Sequence, residues 1–262
     1  MYPGRPRESE RRRKLCGSAE IAAALERGEP LHRLLVARNA RDPALRALCE
    51  RAKAAGAAVD VTSERELWRL SPPGQPCEIL AVVGPTAAVD LHTLMQRSGA
   101  VWLFSGVAYA GNVGFALRTL EVAGAAGAVV DAHFEKGKRR SALRIAMGAQ
   151  RFFPVLWKNS DAALEAARAA ERRIIGIEDS GRLAPWEADL SGAPLFVVGG
   201  EQQGIAASAL AHCDLVLRLP MAGFIPSYNL QAAVAATAIE HLRQTGKAAS
   251  AAACSSQPGP SH

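Results

Sequence analysis

The sequence predicts an α/β protein in two parts: a small mixed unit over residues 15–85 and a larger domain over 99–245 built on a parallel sheet. Three observations carry that prediction. Short apolar runs in the second part are continuous rather than alternating, as strands buried on both faces read. They alternate with stretches whose apolar residues recur at helical spacing, the pattern of strands joined by crossover helices. A chain of 262 residues, 49% hydrophobic and 21% charged, is also long and apolar enough to bury a core in each part.

In the first part, residues 18–27 (SAEIAAALER) read as a helix capped by Ser18, with Ile21, Ala24 and Leu25 on one face. Residues 34–36 read as a strand, and 43–55 as a helix with Leu45, Leu48 and Ala52 in register, ended by Gly56. A strand at 59–61, a helix at 64–70 and a buried strand at 79–83 complete the unit. Residues 86–98 read as a linker. The second part gives strands at 100–104, 127–130, 174–177, 195–198 and 215–219, with helices at 115–123, 161–171, 206–212 and 230–243. Residues 1–14 lack periodicity and read as a flexible basic arm; 246–262 is an Ala/Ser/Gly/Pro tail expected to be disordered.

The net charge of +6 is unevenly placed. Residues 1–14 carry a net +4, and residues 135–144 another +4 from Lys136, Lys138, Arg139, Arg140 and Arg144 against Glu135. The rest of the chain is slightly acidic. Two concentrated basic segments on a near-neutral body point to a polyanion, nucleic acid first among them; a solvated tail and a solvated loop would carry the same charge. Other chemistries are disfavoured. The five cysteines form no C-x-x-C pair, which argues against a disulfide framework or a zinc site, so no metal is expected. There is no H-E-x-x-H and no G-x-S-x-G. No apolar run approaches the roughly 20 residues of a membrane helix, and no signal-peptide h-region follows the basic N-terminus, so the expected location is cytoplasmic, with no membrane partner.

Three segments carry candidate chemistry. In 107–123 (VAYAGNVGFALRTLEVA), a Gly/Asn turn follows a strand and a helix opens near Val113. Asn112 is placed as its cap, Gly114 permits close backbone approach, and Arg118 sits toward the positive end of the helix dipole. In 195–205 (LFVVGGEQQGI), a strand runs into Gly199-Gly200, where a flat ligand can lie against backbone. Glu201 could accept from a ligand hydroxyl or hold Arg118. In 219–236 (LPMAGFIPSYNLQAAVAA), Ser227 and Asn229 open a helix whose alanines allow close packing of a partner.

Taken together and in this order, the segments resemble the SpoU–TrmH family of RNA ribose 2′-O-methyltransferases, within the SPOUT superfamily. Asn112, Gly114 and Arg118 match its N-x-G-x-x-x-R motif; Gly199, Glu201 and Gly204 match G-x-E-x-x-G; Leu219, Pro220, Met221, Gly223, Ser227 and Asn229 match L-P-M-x-G…S-x-N. Residues 15–85 resemble the family's small N-terminal RNA-binding domain. Three positions depart from the pattern: Tyr228 stands where a small aliphatic residue is usual, Ala146 replaces a serine, and Gln75-Pro76-Cys77-Glu78 replaces an H-Q-G stretch.

The resemblance implies a C-terminal domain with a deep trefoil knot, S-adenosyl-L-methionine as cofactor, and a homodimer paired through the knotted domain. It implies methyl transfer to a ribose 2′-hydroxyl of RNA, with Arg118 the central catalytic residue and Asn112, Ser227 and Asn229 around it. Cofactor contacts fall on Gly199, Gly200, Glu201, Gly204, Leu219, Met221 and Ser227, with Ile205 and Leu230 packing the adenine. Arg144 is expected on RNA phosphate, with Lys136, Lys138, Arg139 and Arg140 adding sequence-independent affinity. Ribosomal RNA is the favoured substrate, an antibiotic-resistance methylase included. A tRNA 2′-O-methyltransferase, a non-catalytic RNA-binding relative, and a nucleotide-binding enzyme acting on small molecules remain alternatives.

Overall fold

In the computed structural model the described residues are 12–84 and 86–246, so the expected arm up to residue 11 and the tail beyond 246 lie outside them. The chain divides into two compact units, one ending at Thr86 and the other starting at Ala87.

The first unit runs β1 (Arg13–Cys16), α1 (Ser18–Glu26), β2 (Leu31–Ala37), α2 (Pro43–Ala54), β3 (Ala58–Thr62), α3 (Glu64–Leu70) and β4 (Ile79–Val83). Its sheet has the order β1-β4-β2-β3, with β4 antiparallel to both neighbours and β2 parallel to β3. Leu15, Ile21, Leu34, Leu45, Leu48 and Ile79 form its core. Two expectations are corrected. The end of the basic arm is a strand, because Leu15 fills the core while Arg13 pairs with Glu29 and Lys14 Nζ donates to the Leu70 carbonyl at 2.8 Å. Ser18 is the first helical residue rather than the cap: Gly17 holds the cap position at φ 90°, where it needs no side chain. The other two long starts are capped by side chains, Asp42 accepting from Ala44 N at 2.8 Å and Ser63 from Glu66 N at 3.2 Å.

The second unit runs α4 (Leu91–Met95), β5 (Val101–Ser105), α5 (Ala110–Val122), β6 (Gly127–Val130), α6 (Lys136–Ile145), β7 (Val155–Trp157), α7 (Ser160–Ala169), β8 (Ile174–Ile177), β9 (Leu195–Gly199), α8 (Ala207–Leu210), β10 (Leu215–Leu217) and α9 (Leu230–Gln244). All six strands are parallel, in the order β10-β8-β9-β5-β6-β7. Successive residues point to opposite faces, and both faces are covered. Trp102, Phe104, Phe196 and Val198 pack with α5, α6 and α9, while Val101, Leu103, Leu195 and Val197 pack with α4, α7 and α8. The Trp102 and Phe196 rings lie 4.7 Å apart on the first of these faces.

Here too the expectations need correction. The stretch read as a linker contains α4, whose Leu94 and Met95 are buried in this unit's core. The basic stretch over 136–145 is a helix. Strand β7, just before α7, has no counterpart among the strands expected from sequence. The loop after α4 is anchored by Arg172, buried among backbone oxygens. Its guanidinium donates to the carbonyls of Met95 at 2.7 Å, Gly99 at 2.9 Å and Ala193 at 2.8 Å, and also to that of Arg97. Burial pulls its pKa down to about 10, so at neutral pH it remains charged. Among the described residues no helix is long and apolar enough to cross a membrane, and no group of three or more His, Cys, Asp and Glu could hold a metal.

The strand order reverses between β5 and β9. From β5 the chain walks outward through β6 and β7, while β8, β9 and β10 fill the other side. In open parallel sheets the crevice outside the carboxyl ends of strands at such a reversal is where ligands bind.

Candidate active site

The carboxyl ends of β5 and β9 meet in register at Ser105 and Gly199. The chain can pass so close only without side chains. A Cβ on Gly199 would overlap the backbone of Gly204, and one on Gly200 would overlap the Gly106 carbonyl. Gly204 N donates to Gly200 O at 3.0 Å, closing a tight turn, and Gly204 itself stands at φ 63°. Each of these glycines, expected at the cofactor, also has a reason inside the protein. The turn is further held by Glu178, just beyond β8, whose Oε2 accepts from Ile205 N at 2.8 Å.

Glu201, carried at the tip of this turn, faces α5. Its Oε1 accepts from Asn112 Nδ2 at 2.7 Å and its Oε2 from Ala108 N at 3.1 Å. Asn112 Oδ1 in turn accepts from Asn229 Nδ2 at 3.1 Å, and Asn229 Oδ1 accepts from Gln231 N at 2.9 Å as the N-cap of α9. One hydrogen-bonded chain therefore joins the three segments singled out in the sequence.

This arrangement corrects the reading of the first segment. Helix α5 begins at Ala110, not near Val113, and Asn112 lies inside its first turn with its side chain turned to Glu201 rather than capping. Arg118 is the ninth residue of a 13-residue helix, beyond the first turn where a dipole penalty acts. Nor does Glu201 hold Arg118. Arg118 is exposed and has no hydrogen-bond or ion-pair partner among the described residues. It shares the solvent face of α5 with Phe115 and Val122, both exposed.

Gly114 makes a second close approach. A Cβ there would lie 2.6 Å from Ala142 O and 2.7 Å from Ile145 Cβ, so the glycine lets α6 cross α5 between Asn112 and Arg118. Helix α6 brings the basic residues with it. Lys136, Lys138, Arg140 and Arg144 are exposed and unpaired among the described residues. Arg139 differs: its Nε donates to Phe134 O at 3.0 Å and its guanidinium lies 4.9 Å from the Trp157 ring centroid, so it serves packing.

The segment from 218 to 229 joins β10 to α9 and reaches the other two segments at Asn229. Leu219 and Met221 are half-buried and Ser227 is exposed, while Tyr228 OH donates to Pro220 O at 2.9 Å and ties the loop to itself. Ile205 and Leu230 are both buried, but in separate core clusters on opposite faces of the sheet.

Comparison with known proteins fits this geometry. Residues 100–239, more than half of the chain, match the model of the SpoU rRNA Methylase family, and residues 14–87 match that for RNA 2′-O ribose methyltransferase substrate binding. The chain belongs to the SpoU rRNA methylase family. It is 29% identical over 230 residues to the 23S rRNA (guanosine-2′-O-)-methyltransferase RlmB of Pseudomonas aeruginosa, across 84% of this chain and 92% of that one. It is 28% identical over 240 residues to the uncharacterized tRNA/rRNA methyltransferase slr0955 of Synechocystis, across 88% of this chain but only 62% of that relative's length. The crystal structure of the SpoU methyltransferase AviRb from Streptomyces viridochromogenes superposes with a TM-score of 0.55 at 25% identity, covering 90% and 91% of the two chains. An AdoMet-bound rRNA methyltransferase from Sinorhizobium meliloti shares the fold, with a TM-score of 0.57 at 20% identity over 89% and 87%.

Within this SpoU chain, two site features escaped the sequence. Glu178 carries no motif of its own, and its partner, the Ile205 amide, lies 27 residues away. The Tyr228–Pro220 tie depends on the residue that departs from the SpoU–TrmH pattern.

Proposed function

We propose that this SpoU-family chain transfers the methyl group of S-adenosylmethionine to a ribose 2′-hydroxyl of ribosomal RNA, at the crevice beyond β5, β9 and β10. The observation that carries this reading is the hydrogen-bonded chain from Glu201 through Asn112 to Asn229, anchored on the same helix that carries Arg118, which is exposed and has no side-chain partner among the described residues. The residues present fit the cofactor. Adenine is recognised by backbone donors and acceptors, and among the described residues no amide from Met221 to Ile225 makes a hydrogen bond within the chain. These groups, with the turn from Gly199 to Ile205, Leu219 and Leu230, would hold it.

S-adenosylmethionine, when bound, supplies an electrophilic methyl group with a neutral thioether as leaving group. The chain's own residues must orient the attacking hydroxyl and ease loss of its proton. A guanidinium is a poor proton acceptor and a good five-donor cation, so Arg118 acts through its charge rather than as a base. It stabilises charge developing on the ribose oxygen and clamps the neighbouring phosphate. Asn112, held by Glu201, and Asn229 fix the geometry around it; Ser227 offers a free hydroxyl to the substrate. Arg144, with Lys136, Lys138 and Arg140 on α6, meets RNA phosphates.

A homodimer belongs to the same proposal, supported by exposed Phe115 and Val122 on α5 and Ile239 on α9, which packs against α5. So do the knotted threading of the C-terminal segment and a cytoplasmic location. The test is transfer of label from S-adenosylmethionine to unmodified ribosomal RNA and tRNA, with Arg118→Ala beside the unaltered protein. Label at a ribose 2′-oxygen of ribosomal RNA, lost in the variant while its melting is unchanged, is the expected result. Label confined to tRNA would overturn the substrate; label retained by Arg118→Ala would overturn the role of Arg118.

A further inference from the structure

The first unit's cations are sorted by place. Arg13 and Arg27 are paired with Glu29, Arg33 with Asp60, and Arg69 with Glu66. Four others, Arg38, Arg41, Arg46 and Arg65, are exposed and have no side-chain partner among the described residues. All four stand at one end of the unit. Arg38 and Arg41 follow β2, Arg46 is in the opening turns of α2, and Arg65 is in the first turn of α3, directly after β3. Because β2 and β3 run parallel in register, Ala37 opposite Thr62, these segments emerge side by side. Arg38 N donates to Thr62 O at 2.9 Å and the Asn39 amide bonds Glu64, lacing the two together. Of the carboxylates at this end, Asp42 accepts from the Ala44 amide and Glu64 from Asn39, while Glu78, whose backbone oxygen accepts from Ala37 N, is exposed; the four arginines outnumber them.

Beside these cations stands Trp68, 68% exposed, one helical turn from Arg65 on α3. Tryptophan is highly buried on average, and folding gains nothing from leaving this indole in water. A flat π-face among unpaired guanidinium groups is how proteins hold single-stranded nucleic acid: the cations follow the phosphates while a base stacks on the ring.

We propose that this end of the first unit grips a single-stranded segment of the substrate RNA, with one unpaired base stacked on Trp68 and Arg38, Arg41, Arg46 and Arg65 on the flanking phosphates. The proposal rests on the reading of the protein as an RNA methyltransferase and names the residues of the first unit that hold its RNA.

The full chain is titrated with a short fluorescent single-stranded RNA of mixed sequence and with a duplex of the same length. Trp68→Ala should weaken single-strand binding roughly 10- to 100-fold, while Trp68→Phe, which keeps a ring, retains most of it. Arg41→Ala and Arg65→Ala should each lower the slope of log affinity against log salt by about 1. In the methyl-transfer assay Trp68→Ala should raise KM for RNA and leave kcat unchanged. Binding by Trp68→Ala within about twofold of the unaltered protein overturns the proposal and leaves the patch to a protein partner. Equal loss by Trp68→Phe, or equal loss on the duplex, overturns stacking. The two readings fail separately: absence of methyl transfer by the unaltered protein counts against the reaction, whereas unchanged binding by Trp68→Ala counts against this surface alone.

Discussion

Asn112 donates to Glu201 at 2.7 Å, and that bond fixes the direction of every other bond in its chain. A carboxylate only accepts and the Gln231 backbone amide only donates, so the two asparagine amides between them have a single consistent orientation. Asn112→Asp should therefore fail although it is nearly isosteric. It sets a carboxylate against Glu201 and removes the donor. Methyl transfer should fall at least about 100-fold, with about 1–3 kcal/mol lost in urea unfolding. Glu201→Gln, which must turn an N–H toward either Asn112 Nδ2 or Ala108 N, should lose less of both. Activity near that of the unaltered protein in Asn112→Asp would show that the chain does not position the site.

Two glycines of α5 should respond oppositely to alanine. Gly114→Ala drives a methyl into Ala142 O and Ile145 and should cost about 1–3 kcal/mol. Gly111 has open space around its Cβ position and no unusual backbone, so Gly111→Ala should gain about 0.5–1 kcal/mol from helix propensity. Denaturant midpoints of the pair decide the matter. Because Gly114 also seats α6, RNA affinity should drop in Gly114→Ala alone.

Much of this fold was legible in the sequence, and the failures have a common cause. Runs such as Ile79–Val83, Gly127–Val130 and Ile174–Ile177 are buried on both faces and announce themselves by composition. Helix α6 does not: of its ten residues only Ala142 is buried, and a charge run has no apolar period to read. Strand β1 hid inside a basic arm because one residue, Leu15, carries its burial. Gly111 and Asn112 read as turn residues and lie within a helix, since local propensity yields to packing. In the site, Asn112, Glu201 and Asn229 were each named from the resemblance, but their mutual bonding spans 89 and 117 residues and has no local signature.

Arg172→Met should be severely destabilising. The substitution keeps a long apolar stem but deprives the Met95, Gly99 and Ala193 carbonyls of their donor in a buried setting. A loss of about 3 kcal/mol or more is expected by denaturant titration. Arg172→Lys, with fewer donors and no planar fork, should recover only part of it.

Tyr228→Phe removes the hydroxyl that ties the loop to Pro220 and little else, since the side chain is half exposed. KM for S-adenosylmethionine should rise roughly 3- to 10-fold with stability unchanged, the size of one lost hydrogen bond. A parallel fall in kcat with constant KM would place Tyr228 at the reacting atoms instead.

Stability should also fall in acid through Asp214. Burial alone would raise its pKa, but the Ile174 amide at 2.7 Å and the Arg168 guanidinium at 2.8 Å outweigh burial and hold the carboxyl below its ordinary 3.8. Its contribution is fully present above that unfolded value and disappears as pH falls through the lower folded one. Unfolding free energy followed from neutral pH into acid should decline less steeply in Asp214→Asn than in the unaltered protein.

The capping of α9 by Asn229 also sets a timetable. That helix is the last described element to leave a ribosome, yet it supplies one end of the bonded chain that begins at Asn112. While β5 to β10 are emerging, the half-made protein holds a crevice without its closing member. On the proposed reading, a nascent fragment ending before Asn229 lacks one member of the bonded chain and has no complete site until translation has delivered α9.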